Sequence, residues 1–409
     1  MNKNKVTGTV LVVAFVFLAW RVLSLGMADH LAVSNPEKAL FWRSNHPEAL
    51  FRMAEKELSA KNWAQAKEHA NNALRANPLD GRSLRVLAQV AEQQGNEKQA
   101  YSLFSKAVKL SPRDVISHVW LLEFALRNQQ ADPAVVHLDA LLRVKPGLME
   151  ALLPQAIALA VNPVAQNAML EQLALNPPWR RHLLMGLATS KFSADQIVPV
   201  FTKLHAKSKL EPADYLPLIN RLNNENRYAQ SYLTWANLIP IQQRKYLGNV
   251  FDGGFELPIE EQIGSFAWLV QEVTGAQLQL LNSRGTMGEN SFYVEFEGRR
   301  TPFAHLSQIL ALPSGQWQVS YRAKADRLEN TRGLVWRVVC QSNGSILADS
   351  EPMKGQFNWQ ELKFEFSVPD NCAGQRLILM IPARIPAETL INGSLWLDNV
   401  IIQRVELIL

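Results

Sequence analysis

The sequence predicts a multidomain chain: one N-terminal transmembrane helix, an α-solenoid of helical hairpins, and an all-β sandwich of the jelly-roll type. Three observations predict it: an apolar stretch near the N-terminus, prolines 34 residues apart in a long helical region, and a change of hydrophobic period from helical to strand-like near Gly248. At 409 residues the chain is also too long for one ordinary core. The predicted boundaries are 1–28 for the cytoplasmic tip and anchor, 37–240 for the solenoid and 248–409 for the sandwich.

The charge of the chain differs between its two parts. From Gly248 to the end, 13 Lys and Arg stand against 18 Asp and Glu, a balance of −5, which leaves 29 against 19, or +10, in the residues before it. This asymmetry indicates two modules with different partners. Because the sequence has no dense basic patch interleaved with aromatic residues, we expect no nucleic-acid partner.

The N-terminal segment MNKNKVTGTVLVVAFVFLAWRVLSLGMADH has two lysines ahead of an apolar run. Residues 6–25 have about the length of a membrane-spanning helix, and Trp20 and Arg21 suit the membrane interface. The preceding positive charge places the N-terminus in the cytoplasm and the rest of the chain outside it. In a Gram-negative bacterium the chain would then be a single-pass inner-membrane protein with its bulk in the periplasm. A signal peptide cleaved after Gly26-Met27-Ala28 is the alternative.

The helical region contains an internal repeat. Pro78, Pro112 and Pro146 are spaced 34 residues apart. Small or apolar residues recur at fixed places between them: Ala54, Ala66, Ala70 and Ala73, then Ala88, Ala100, Phe104 and Ala107, then Leu122, Ala134, Leu138 and Leu141. Small residues let the two helices of a hairpin approach closely, and the proline ends the second helix. The stretches AKNWAQAKEHANNALRANPLD and QGNEKQAYSLFSKAVKLSPRD resemble tetratricopeptide repeats.

The repeat becomes less regular after Pro146, where the next helix pair ends early, at Pro177. Helical patterns continue to Pro240, so we expect about four to six helix pairs in a right-handed solenoid. The resemblance to tetratricopeptide proteins implies a concave groove that binds protein or peptide partners. The alternative is that the solenoid is only a spacer between the membrane and the C-terminal domain.

From Gly248 the sequence alternates between apolar and polar residues, as strands do. SFYVEFEG, GQWQVSYRAKA and NWQELKFEFSVP alternate in this way, and GLVWRVVCQS, QRLILMIPAR and GSLWLDNVIIQRV read as further strands. About ten short strands without intervening helices predict an antiparallel sandwich or jelly roll. We expect NVFDGGFE to be its first strand, with Phe251 and Phe255 entering the core.

The two cysteines, Cys340 and Cys372, both lie in this region. An oxidising compartment would permit a disulfide between them. From the sequence, we prefer the interpretation that the two cysteines are separate buried thiols in strands. Their spacing matches no zinc motif.

The motifs NVFDGGFE, SGQWQVSYRAKA and GSLWLDNVIIQ resemble those of galactose-binding-like jelly rolls, among them carbohydrate-binding modules, over about 248–405. The resemblance implies that the first and last strands lie side by side and that a structural calcium sits there. Matched by position, its acidic ligands would be Glu256 and Asp398. Two carboxylates alone do not complete a calcium site, which takes about six to eight oxygens. The alternative is that Asp398 caps a turn and Glu256 is a solvated edge residue.

The same resemblance implies a surface that holds a sugar chain, which needs aromatic platforms and planar hydrogen-bonding groups. Candidates on the polar strand faces are Tyr293, Glu295, Arg322 and Arg337, with Trp268 or Trp336 nearby. Trp336 alternates with Leu334 and Val338, so a core position is its preferred reading.

The sequence carries no strong sign of catalysis. HExxH, GxSxG, Walker A and GxGxxG motifs are absent. Carboxylate pairs such as Glu295 and Glu297 share a strand face, yet such pairs are usually solvated. We therefore expect a non-enzymatic envelope protein, similar in architecture to membrane-anchored accessory proteins of bacterial exopolysaccharide, capsule or O-antigen assembly. The alternatives are a scaffold whose sandwich binds protein and, more distantly, a glycan-active enzyme.

Overall fold

The computed structural model describes residues 3–405, with side chains described over 9–405. The helices are α1 (Lys3–Leu31), α2 (Pro36–Trp42), α3 (Pro47–Ser59), α4 (Trp63–Ala76), α5 (Gly81–Gln93), α6 (Glu97–Leu110), α7 (Val115–Arg127), α8 (Ala131–Val144), α9 (Met149–Val161), α10 (Gln166–Ala174), α11 (Arg180–Thr189), α12 (Ala194–Lys207), α13 (Pro212–Asn224) and α14 (Tyr228–Leu238). The strands are β1 (Leu269–Val270), β2 (Ala276–Asn282), β3 (Asn290–Arg300), β4 (Leu306–Leu310), β5 (Gly315–Glu329), β6 (Val335–Cys340), β7 (Ile346–Asp349), β8 (Gly355–Val368), β9 (Gln375–Met380) and β10 (Leu390–Arg404). This order confirms the predicted fold class. The chain divides into two compact units, Met1–Arg180 and Arg181–Leu409.

The first helix of the first unit is apolar and long. Thr9–Leu31 of α1 is long and apolar enough to cross a membrane, a property that signal sequences share. Its side chains are exposed over residues 9–23, whereas Ser24, Ala28 and the following Ala32 are buried. His46 Nε2 lies 2.7 Å from Asp29 Oδ1, which ties the end of α1 to the start of α3. The C-terminal end of α1 is therefore part of the folded unit.

Helical hairpins follow in the same unit. The pairs α3–α4, α5–α6 and α7–α8 each end two residues before a proline of the 34-residue series, because proline cannot continue a helix. Asp80 and Asp114 cap the N-termini of α5 and α7 by accepting the N–H groups of Arg82 and Ser117. All twelve residues of the predicted repeat positions are buried. The close helix contacts expected of those positions are thus present.

The second unit holds α11 apart from its first residue, α12–α14 and a β-sandwich. Within the described residues, the sandwich has two five-stranded sheets, with the orders β1-β4-β9-β6-β7 and β2-β3-β10-β5-β8. We call them the first and the second sheet. All their pairings are antiparallel. One hydrophobic core lies between them. It contains apolar residues of the alternating stretches SFYVEFEG and GQWQVSYRAKA, namely Phe292, Val294, Trp317 and Val319.

The opening stretch of the sandwich is a set of turns, which corrects the predicted first strand. Asp252 accepts the backbone N–H groups of Glu256 and Leu257 at 2.9 and 3.0 Å, and these bonds turn the chain instead of extending it. The stretch still lies beside the last strand, because Val400 N donates to the carbonyl of Gly253 at 2.8 Å. Phe255 enters the sandwich core as predicted.

Phe251 was also predicted to enter the sandwich core, but it packs against a helix instead. Its ring meets the indole of Trp235 on α14 edge-on, with centroids 5.1 Å apart, and Phe266 lies 5.6 Å from the same indole. Trp235 Nε1 also donates to the carbonyl of Ile263 at 2.9 Å. The end of the helical region and the start of the sandwich therefore share an aromatic contact.

The two cysteines form a disulfide, which corrects the preferred reading of two separate thiols. Cys340 ends β6, which pairs with β9, and Cys372 lies in the turn that leads into β9. This pairing brings the two Cα atoms to 5.6 Å, within the usual range for a disulfide.

Candidate functional site

Polar and aromatic side chains gather on the outward face of the second sheet. The strand register places Trp396 of β10 opposite Tyr293 of β3 on one side and Lys324 of β5 on the other. One row along, Ser394 lies opposite Glu295 and Asp326. We call this set the aromatic face: Tyr293, Glu295, Arg322, Lys324, Asp326, Trp359, Ser394 and Trp396.

Trp396 is at the centre of the aromatic face. Its indole lies 4.8 Å from the ring of Tyr293, at an interplanar angle of 43°, and the ammonium of Lys324 lies 4.7 Å from its centroid. Tyr293 is largely covered, whereas Trp396 is half-buried. Trp396 is therefore the ring that a ligand can reach, and Tyr293 supports it from the side.

The hydroxyl of Tyr293 holds the polar groups beside this ring. It donates to Glu295 Oε2 at 3.1 Å and lies 3.1 Å from Ser394 Oγ. Burial raises the pKa of Tyr293, so the hydroxyl stays protonated at neutral pH and keeps its proton to donate. The face thus offers an aromatic surface with fixed hydrogen-bonding groups around it.

A second aromatic residue borders the face. The guanidinium of Arg322 lies 5.5 Å from the ring of Trp359 on β8. Trp359 Nε1 donates to the carbonyl of Arg284 at 3.0 Å, in the loop 283–289 between β2 and β3. Because β2 and β8 are at opposite edges of the sheet, this loop crosses over the outward face and forms one wall of the site.

Glu256 and Asp398 hold this loop in place. Asp398 is fully buried, and its Oδ2 accepts the N–H of Met287 at 2.7 Å. Glu256 Oε1 accepts the N–H groups of Glu289 and Asn290 at 2.9 and 3.3 Å. A Cβ at Gly288 would overlap the Glu256 carboxylate, so a larger residue there would displace that side chain from the loop. Burial raises the pKa of Asp398, and the charge of Glu256 adds to this effect.

In this arrangement, peptide N–H groups donate to the two carboxylates that were predicted to hold calcium. The second oxygen of Asp398 accepts the N–H of Asn399 at 2.7 Å, so peptide donors face both of its oxygens as well as Glu256 Oε1. A cation would have to displace these donors. Over residues 9–405, no group of three His, Cys, Asp or Glu side chains is arranged to hold a metal. Calcium binding by Glu256 and Asp398 stays a prediction from the resemblance.

The structure removes Trp268 from the predicted sugar site. Trp268 is 3% exposed and lies in the sandwich core, with its ring 5.0 Å from Phe255 and 5.8 Å from Trp336. Its Nε1 donates to the carbonyl of Asp252 at 3.0 Å. No face of the indole is free for a ligand. Trp336, as preferred from the sequence, is also in the core.

Arg337 lies apart from the other candidates. It is on β6 of the first sheet, whereas Tyr293, Glu295 and Arg322 are on the second. Its Nε and Nη2 atoms each lie 2.7 Å from an oxygen of Asp349, a paired arrangement that raises the pKa of Arg337. This pair occupies the planar donor group that a sugar would need.

Five residues of the face were missed from the sequence: Lys324, Asp326, Trp359, Ser394 and Trp396. The outward direction of Trp396 could have been predicted from the sequence, because it lies between Leu395 and Leu397, both of which are buried. The outward direction of Lys324 could have been predicted in the same way, because it lies between the buried residues Ala323 and Ala325. Trp359 lies where the pairing of β5 and β8 shifts register, so alternation alone does not place it.

Neither a protein-family model nor a curated protein sequence matches the chain. Solved structures that do match include carbohydrate-binding modules. A CBM4 structure is 15% identical, with a TM-score of 0.30 and coverage of 38% of this chain and 99% of that one. The module TmCBM61 in complex with beta-1,4-galactotriose is 16% identical, with a TM-score of 0.25 and coverage of 39% and 98%. The module CBM6cm-2 of Cellvibrio mixtus lichenase 5A, in complex with cellotriose, is 10% identical, with a TM-score of 0.21 and coverage of 35% and 99%.

Proposed function

We propose that this chain is a non-enzymatic, membrane-anchored envelope protein. It binds polysaccharide on the aromatic face and protein partners on its helical hairpins. Its place is in exopolysaccharide, capsule or O-antigen assembly or export, with α1 in the inner membrane and the bulk of the chain in the periplasm. The alternative is a scaffold in the same location whose sandwich binds a protein instead of a sugar.

The observation that carries sugar binding is the position of Trp396 on the outward sheet face. A pyranose ring has an apolar C–H face that packs on an indole, and hydroxyls at its rim that need donors and acceptors. Lys324 supplies a donor, Glu295 an acceptor and Ser394 both, all beside the indole. An open sheet face buries little ligand, so we expect affinity on the order of micromolar to millimolar.

The anchor is supported by the way α1 continues into the folded unit. A signal peptidase cutting after Ala28 would remove that residue and Ser24, both of which are buried. It would also cut inside a helix. The uncleaved helix therefore accounts for the packing better than a signal peptide does.

The role of the hairpins is supported by their 34-residue period and by ion pairs that link α3, α5 and the N-cap of α7. We assign them to the tetratricopeptide type. Arg82 pairs with Glu48 at 2.7 Å, and Arg85 pairs with Glu55 at 2.6 Å and with Asp114 at 3.2 Å. A surface of linked charges suits a polar or charged peptide segment better than an apolar helix.

Binding of the source organism's surface polysaccharide to the full chain in detergent tests the proposal. Arg322→Ala should weaken binding, because Arg322 lies on the aromatic face. Arg337→Ala is the matched control, an arginine on the other sheet, and should leave binding unchanged. If the wild type binds none of the polysaccharide but retains a protein partner that is lost when the sandwich is deleted, the scaffold alternative is correct.

A further inference from the structure

The fold brings together two of the four Trp-Arg dipeptides of the sequence. Trp20-Arg21 lies on α1, and Trp42-Arg43 lies at the end of α2, which runs back along α1. The two indole rings are 5.7 Å apart. The aromatic and basic residues of α2 therefore lie at the level of Trp20.

The side chains of α1 also change from exposed to buried close to Trp20. On the N-terminal side, residues 9–23 are exposed and almost entirely apolar. On the C-terminal side, Ala28 and Ala32 are buried, the latter in a cluster with Ala39 of α2 and Ala49 of α3. The border between the exposed part and the packed part thus falls between Leu23 and Ser24, about one helical turn after Trp20.

Phe41 continues the apolar surface sideways from α1. Its side chain is 85% exposed, and its ring lies 6.0 Å from that of Trp42. An exposed phenylalanine next to a tryptophan and an arginine is the composition found at the boundary between lipid tails and headgroups. From Lys3 to Trp20 the helix rises about 26 Å at ~1.5 Å per residue, close to the roughly 30 Å of a hydrocarbon core.

We propose that α2 is a second membrane contact, with Phe41, Trp42 and Arg43 resting in the headgroup layer of the bilayer that α1 crosses. The inference rests on the proposed membrane anchor. The occupant of this surface is lipid, because the surface is continuous with the exposed part of α1. Trp20 and Arg21 contribute from α1, and the contact fixes the depth at which the first helices leave the membrane.

Site-directed fluorescence in vesicles tests this. Cysteine is introduced singly at Val13, Phe41 or Leu79 of the full chain and labelled with an environment-sensitive dye. The native cysteines are joined to each other and do not react. Leu79 is the matched control, an apolar residue of the same unit that is 73% exposed in the turn between α4 and α5. The vesicles contain phosphatidylethanolamine and phosphatidylglycerol, with nitroxide quenchers at headgroup depth or in mid-chain.

The label at position 41 should be quenched about twofold by the headgroup nitroxide, as for a group buried roughly 5–10 Å into the interface, and the label at 79 should not. The label at 13 should be quenched by the mid-chain nitroxide. Equal responses at 41 and 79, with 13 quenched, overturn the contact of α2 and leave the anchor intact. No quenching at 13 overturns the anchor and this inference together.

Discussion

The indole of Trp396 and the phenol ring of Tyr293 lie 4.8 Å apart across the β3–β10 pair, on the outward face of the second sheet. The hydroxyl of Tyr293 lies 3.1 Å from both Glu295 and Ser394, so one side chain supports the indole and positions the polar groups next to it. The site therefore depends on Tyr293 for its geometry more than for direct contact with a ligand.

Tyr293→Phe should weaken polysaccharide binding about 2–10-fold, because it removes a hydroxyl worth roughly 0.5–1.5 kcal/mol in hydrogen bonds but keeps the ring. Isothermal titration of the full chain measures this. Tyr101→Phe, on an exposed part of α6, is the control and should bind as the wild type does. Unchanged affinity in Tyr293→Phe would show that Glu295 and Ser394 need no positioning.

A fragment of residues 181–409 should be more stable than one of residues 248–409. The shorter fragment loses Trp235 and exposes Phe251 and Phe266, which pack on it. Trp235→Ala in the longer fragment should lower the free energy of unfolding by roughly 3–5 kcal/mol, as measured by denaturant titration. Leu233→Ala, exposed on the same helix, should change it little. Equal stability of the two fragments would contradict the role of this aromatic contact.

Reduction of the Cys340–Cys372 disulfide should lower the stability of the 181–409 fragment. The bond spans a sequence separation of 32 residues. Loop-closure entropy for a loop of this length gives a loss of about 3–4 kcal/mol. The check is denaturant unfolding with and without reductant, with the double variant Cys340→Ser/Cys372→Ser as control. The double variant should have the same free energy of unfolding as the reduced wild type, and adding reductant should not change it. A change on adding reductant to the double variant would show that the effect does not come from this disulfide.

The stability of the same fragment should fall between about pH 4 and pH 6 through Asp252. Burial raises the pKa of Asp252 from 3.8 to about 6, so the folded state holds a proton that the unfolded state releases. The stabilising contribution is complete below the unfolded pKa and is lost as the pH rises through the folded one. Relative to Asp252→Asn, the free energy of unfolding of the wild type should fall by at most about 3 kcal/mol across this range. Parallel pH profiles of the two proteins would contradict the raised pKa.

Alternation in the sequence was sufficient to place some site residues but not others. Tyr293, Glu295 and Arg322 lie on long strands whose inward neighbours are apolar, so their outward direction was predictable. Arg337 also points outward, yet strand order, which depends on pairings between distant segments, puts it on the other sheet. Alternation therefore predicts whether a side chain points inward or outward, but not which of the two sheets its strand belongs to.

The remaining errors in the sequence analysis come from turns and from contacts between distant segments. Trp268 belongs to a segment before the short strand β1, where no alternation shows which way a side chain points. The turn at Asp252 depends on hydrogen bonds that its carboxylate accepts, including one from Gln262 Nε2 at 3.0 Å. A pattern of apolar residues does not reveal these bonds. The disulfide depends on the pairing of β6 with β9. Each error thus came from a contact between segments or from a polar side chain that shapes the backbone.

The most direct measurement of the central claim is a titration of the full chain and its Trp396→Ala variant with the surface polysaccharide of the source organism. Ile346→Ala is the control, an exposed apolar residue on the first sheet. The account predicts that Trp396→Ala lowers affinity roughly tenfold or more, since about 1.4 kcal/mol corresponds to each factor of ten, while its melting temperature and the binding of the control stay close to the wild-type values. Equal affinity of the wild type and Trp396→Ala would contradict the claim that the aromatic face binds the sugar.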